Sequence, residues 1–114
     1  MKIKQFDIWI ADMKPQRGTE TGQVRPVLIV QTNLLNNVHP SSVVCPITTN
    51  VQKDSEILRV HIKKGASNLK AESDIMIDQI RAIDNRRLVK KIGELTKDLQ
   101  SLVKDNIKII LDLD

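Results

Sequence analysis

The sequence predicts a small, mostly antiparallel β-barrel packed by one C-terminal helix, a mostly β fold with a little α. Three observations carry this. Short apolar runs of strand length recur through most of the chain; few residues separate them, which favours antiparallel neighbours; and Leu99, Leu102, Val103, Ile107 and Ile110 fall near one stripe of a helix at the end. With 114 residues and room for one core, the chain is expected to form a single domain over residues 1–114.

The elements follow in order. Residues 6–11 mix apolar side chains with Asp7 and read as a strand. Residues 13–23 hold Pro15, Gly18 and Gly22 among polar residues and read as a loop long enough to have a use. Residues 27–30, an uninterrupted apolar run after Pro26, suggest a strand buried on both faces. Residues 32–40 are polar, with a short helical turn, and residues 43–48 form a second strongly apolar strand. Leu58, Val60 and Ile62 alternate with Arg59, His61 and Lys63, the pattern of a half-buried strand. Residues 75–80 are again strand-like, and residues 86–92 hold a basic turn and another strand. Thr96 stands where a helix N-cap belongs, and Asp98 in the first turn suits the helix dipole.

Composition narrows the partners. The formal charge is +4, which suits an acidic partner, yet the chain has one Phe, one Trp and no Tyr. That excludes binding of bases on an aromatic platform. A single cysteine, Cys45, forms no internal disulfide and reads as a buried structural thiol. His39 and His61 read as surface histidines, and with Cys45 they are too few and too spread along the sequence to suggest a ligand set, so no metal site and no cofactor are expected. Charge follows the initiating methionine too early for a signal peptide, and no apolar run reaches the roughly 18 residues of a membrane helix. The cytoplasm is the expected location, without a membrane partner.

Three stretches can carry chemistry. In residues 18–30 a polar loop ends in Arg25, next to Pro26 and at the mouth of a buried strand; its planar fork suits phosphate, while pairing with Glu20 or Asp12 at the barrel rim is the plainer reading. In residues 43–50 a buried strand ends in Thr48 and Thr49, whose hydroxyls can bind a ligand or merely cap the strand. In residues 73–84, Asp78 shares a strand face with Met76 and Ile80 and interrupts an apolar pattern, so it is either paired, with Arg81 as the nearby cation, or functional. Arg86, Arg87, Lys90 and Lys91 cluster, as do Arg59, Lys63 and Lys64; such runs track phosphates or simply face solvent.

As an ordered set these stretches resemble the MazF/PemK family of toxin–antitoxin ribonucleases. The resemblance begins with Asp7, Ile8, Trp9, Ala11 and Asp12. It continues through Gly18, Thr19, Glu20, Gly22 and the run from Val24 and Arg25 to Val30 and Gln31, then Asn33, Asn36 and Pro46, Ile47, Thr48. It ends with Asp78, Gln79, Ile80, Arg81, Ala82, Ile83, Asp84, Arg87, Leu88, Ile92, Gly93 and Leu95. It implies a small SH3-like barrel of the PemK/CcdB type with a C-terminal α-helix, and a homodimer that cleaves single-stranded RNA, commonly mRNA, without a metal. It also implies a cognate acidic antitoxin that covers the RNA site. By position, Arg25 and Thr48 would be the catalytic pair, Glu20 a loop carboxylate linked to the site, and Asp78 an acid used in the PemK-type branch. Thr19, Thr21, Gln23, Thr49, Gln79, Arg81, Arg86 and Arg87 would contact RNA.

The chain departs from the family pattern in three places. Many relatives have Gly-Gly where this chain has Gly22 and Gln23, a glycine where it has Phe6, and some a histidine where it has Thr19. With no histidine in the matching segments, the chemistry points to Arg25 as electrostatic stabiliser and acid, assisted by Glu20 or Asp78 as base, and to products ending in 2′,3′-cyclic phosphate and 5′-hydroxyl. Two other readings stand beside this one. A gyrase-poisoning toxin of the CcdB type would share the barrel but use a C-terminal tryptophan, whereas Trp9 lies near the start. An inactive RNA- or antitoxin-binding relative is disfavoured by the presence of Arg25 and Thr48, while Gln23 in place of glycine keeps that reading open.

Overall fold

The computed structural model describes residues 2–14, 18–19 and 23–114. Among the described residues seven strands run in the order β1 (Asp7–Asp12), β2 (Val24–Ile29), β3 (Ser41–Thr48), β4 (Arg59–Ile62), β5 (Ser73–Met76), β6 (Arg81–Asp84) and β7 (Leu88–Glu94), followed by helix α1 (Lys97–Ile110). Every pairing is antiparallel. The hydrogen-bonded path is β4-β5-β3-β2-β1-β7, with β6 on β3. The long β3 serves two neighbours: its first half pairs with β6, and Ile47 and Thr48 pair with β5. That division curls the sheet, but β4 and β7 end the path unjoined, so the expected barrel is a curved open sheet rather than a closed cylinder.

Strand pleating sorts the side chains into two cores. On one side Ile8, Leu28, Cys45, Ile47, Val60, Ile62 and Ile75 pack against α1 through Val103. On the other, Trp9, Ala11, Val27, Ile29, Val44 and Ile83 gather with Ile3 and Leu88. Alternation within β2 sends Leu28 one way and Val27 and Ile29 the other, so β2 is buried on both faces, as its apolar run predicts. Trp9 belongs to the second core, 6% exposed, with its indole N–H donating to Asp7 at 3.3 Å.

The helix buries Val103 and flanks it with Leu99, Ile107 and Ile110. Leu102 leaves the expected stripe and is exposed; it lies one position, about 100°, round the helix from Val103. Thr96 occupies the N-cap position but makes no side-chain cap to the helix backbone. It hydrogen-bonds Asp98 instead and holds that carboxyl below its ordinary range.

The apolar run at residues 75–80 is not one strand. β5 stops at Met76, a single 3-10 turn, Ile77–Gln79, redirects the chain, and β6 begins at Arg81. The turn is needed because β5 and β6 both bond to β3, at its opposite ends. Asp78 therefore stands exposed on a turn and does not share a strand face with Met76 and Ile80. The polar segment 32–40 forms the expected helical turn, closed by Asn36 N–H to the Thr32 carbonyl and His39 N–H to that of Leu35.

Candidate active site

The site forms where β2 begins and β3 ends. Pairing of Val27 with Pro46 sets the two strands antiparallel, which brings Arg25 alongside the exit of β3. Gln23, Val24, Arg25, Pro26, Ile47, Thr48, Thr49 and Asn50 line an open cleft of about 310 Å³. Four of the residues singled out from sequence, Gln23, Arg25, Thr48 and Thr49, thus share one wall.

Arg25 is half-buried, and its Nη1 approaches the Ile47 carbonyl at 3.5 Å. Desolvation lowers its pKa from the ordinary arginine value, so release of a proton is made easier. Pro26 fixes the backbone beside it. The Thr48 hydroxyl oxygen accepts from the Asn50 N–H at 3.1 Å, which leaves its own proton available to a ligand. Gln23 adopts a left-handed backbone with φ of 70°, the conformation that glycine takes at least cost, while its carbonyl accepts from Met13 N–H at 2.8 Å. Gln23, which stands where the family resemblance led to the expectation of a glycine, therefore sits at a strained position.

The other predicted residues are distributed around this cleft or away from it. Glu20 and Thr21 lie outside the described residues. Thr19 is exposed and its carbonyl accepts from the Gln79 side-chain amide at 3.3 Å, joining the loop before β2 to the turn after β5. Arg81 opens β6 opposite Val44. Arg86 is taken up by Asp84, through Nε at 3.1 Å and Nη2 at 2.9 Å. Arg87 donates to the carbonyls of Asp12 and Lys14 at 3.0 and 2.6 Å, which anchors the end of β1. These two arginines brace the chain where the sequence suggested phosphate contacts. Cys45 is wholly buried, and burial with the nearby Asp78 charge pushes its thiol up to about 12, so it is inert.

Sequence reasoning missed a polar cluster beside the cleft. Asp74, fully buried, lies opposite Thr48 on one side and His61 on the other. Its carboxylate accepts from His61 Nδ1 at 2.5 Å, Arg59 Nη1 at 3.1 Å and the Gln52 N–H at 2.8 Å. His61 is thus a partnered histidine, not a bare surface one. The alternation of Arg59 and His61 was visible, but only the register shows that Asp74 meets them. Among the described residues, no group of three His, Cys, Asp or Glu side chains is placed to hold a metal ion, and no helix is long and apolar enough to cross a membrane.

The curled sheet, terminal helix and rim cleft fit the class of small toxin that the resemblance implied. A family model described as "PemK-like, MazF-like toxin of type II toxin-antitoxin system" matches residues 4–111, and the chain belongs to this family. Endoribonuclease EndoA of Bacillus subtilis (strain 168) is 35% identical over 113 residues, which span 99% of this chain and 97% of that protein. The Mycobacterium tuberculosis toxin MazF-mt6 is 25% identical, with a TM-score of 0.78 over 95% of this chain and 98% of its own. MazF of Deinococcus radiodurans, 20% identical, superposes with a TM-score of 0.86 over 99% of each chain, and in a MazE–MazF structure with 0.79 over 100% and 99%. The one tryptophan, Trp9, lies in the first strand and is buried, not presented near the C-terminus as a gyrase-poisoning toxin would need.

Proposed function

We propose that this toxin is an endoribonuclease that cuts single-stranded RNA, mRNA included, at specific short sequences by attack of the substrate's own 2′-hydroxyl, with no metal ion or other cofactor. The observation that carries the reading is the convergence of Arg25 and Thr48 on one cleft. The name and 35% identity of EndoA support the RNA substrate. In this reaction the 2′-oxygen bonds to phosphorus and the bond from phosphorus to the 5′-oxygen breaks. The 2′ proton passes to a base and a proton is delivered to the leaving oxygen, which gives a 2′,3′-cyclic phosphate and a 5′-hydroxyl. The nucleophile is internal, so the protein has to stabilise charge and move protons.

Arg25 binds the non-bridging oxygens, where charge develops in the phosphorane, and Thr48 donates a second hydrogen bond to them. Desolvation also suits Arg25 to protonate the leaving oxygen. Glu20 or Asp78 is the carboxylate we assign to assist as base, Asp78 standing exposed on the turn between β5 and β6. Gln23, Thr49, Thr19, Gln79 and Arg81 line the path of the RNA, and Thr21, by its position in the sequence, is assigned an RNA contact as well. Arg86 and Arg87 contribute positive potential while held by their own partners.

The protein acts in the cytoplasm as a homodimer, and an acidic antitoxin covers the cleft, as the MazE–MazF pairing of Deinococcus radiodurans suggests for this family member. Incubating the purified protein with long single-stranded RNA in EDTA tests the activity. Discrete fragments are expected from the native chain and none from a folded Arg25→Ala variant. Intact RNA with the native chain, or full cleavage by Arg25→Ala, would overturn the assignment.

A further inference from the structure

Thr48, Asp74 and His61 form one cross-strand row over β3, β5 and β4. Residues directly opposite in such a ladder share a face and interact. Asp74 at the centre is fully buried. Burying a carboxylate is costly unless it is paired, and a buried ion pair adds little stability over an apolar pair of similar volume. The position of this pair therefore matters more than its strength.

Its contacts run in a closed circuit back to Thr48. Asp74 Oδ2 accepts from the Gln52 N–H and from Arg59 Nη1. The same Arg59 nitrogen donates to the Asn50 carbonyl at 3.1 Å. Asn50 in turn donates its N–H to the Thr48 hydroxyl oxygen. Two of the residues that follow Thr48 are thereby fixed by one buried carboxylate and the guanidinium that pairs with it.

We propose that Arg59 and Asp74 are positioning residues for Thr48, holding the segment 50–52 so that the Thr48 hydroxyl keeps its oxygen on the Asn50 N–H and its proton toward the Arg25 cleft. This rests on the reading of Thr48 as a donor to the scissile phosphate. Arg59, 13% exposed at its side chain, acts through the backbone and need not touch RNA. Loss of such positioning lowers the rate of the chemical step, by up to about 100-fold for a displacement near 1 Å.

Cleavage kinetics on a single-stranded RNA test this, with melting temperature recorded for each variant. Arg59→Ala is expected to lower kcat by about 10-fold or more with KM changed less than about twofold, and Arg59→Lys, which still reaches one acceptor, to recover part of it. In the Thr48→Ala background the Arg59→Ala change should cost nothing further, because the two act as one unit. Should Arg59→Ala melt below the assay temperature, Asp74→Asn keeps the shape of the buried group, weakens its hold on Arg59, and should give the same split. An unchanged kcat, a raised KM alone, or an equal loss in both backgrounds overturns the proposal while leaving Thr48 in its role. Native cleavage by Thr48→Ala alone overturns that role, and the positioning proposal with it.

Discussion

The Arg25 guanidinium lies 3.5 Å from the Ile47 carbonyl, one residue before Thr48. The cation of β2 and the hydroxyl of β3 thus line one cleft, although Arg25 and Ile47 are 22 positions apart in the chain. A planar fork held in this way can face two phosphate oxygens at once, which a lysine ammonium does as a point charge only. Arg25→Lys is therefore expected to keep the fold and the charge yet lose about 100-fold or more in kcat. Steady-state cleavage rates check this, and near-native turnover would show that charge alone suffices.

Gln23 occupies a left-handed conformation with φ of 70°. A non-glycine residue there costs about 1 kcal/mol or more, offset in part by the greater freedom glycine adds to the unfolded chain. Gln23→Gly should raise stability by roughly 0.5–1 kcal/mol in denaturant unfolding. A loss of stability would mean that the Gln side chain holds the loop.

Gly93 faces the backbone of Ser67, and an added Cβ would clash with the Ser67 carbonyl oxygen. Backbone cannot swing aside as a flexible side chain does. Gly93→Ala should destabilise the protein by about 1–3 kcal/mol, in the range of overpacked cores, read from the urea midpoint. An unchanged midpoint would show that the loop at Ser67 yields freely.

Asp84 has its carboxyl held near 2 by the hydrogen bonds and charge of Arg86. A carboxyl depressed in the folded state contributes stability above its ordinary pKa of about 3.9 and loses it as pH falls toward 2. In Arg86→Ala the Asp84 titration, followed by NMR, should move up toward the ordinary value. A midpoint that stays near 2 would assign the depression to other groups.

The two-sided burial of β2 was legible because Val27, Leu28 and Ile29 leave no polar face, and α1 because its apolar residues repeat at helical spacing. The break at Ile77–Gln79 was not legible: an apolar run hides a turn that exists only because β5 and β6 bond to different ends of β3. The same limit explains the site. Arg25 and Thr48 were visible as strand-end polar residues. Asp74 was not, because its burial comes from Arg59, His61 and Gln52, which reach it only through strand register. In sequence Asp74 and Asp78 are alike, both aspartates in one apolar stretch, and only the fold buries the first and exposes the second.

The central claim is that the substrate's own 2′-hydroxyl is the nucleophile at the Arg25 and Thr48 cleft. Mapping the termini of the cleaved RNA tests it most directly, with a matched oligonucleotide carrying 2′-deoxyribose at the cut position. Attack by the 2′-hydroxyl yields a 2′,3′-cyclic phosphate, a 5′-hydroxyl and no cleavage of the deoxy substrate; a 5′-phosphate terminus or a cut deoxy substrate would rule it out.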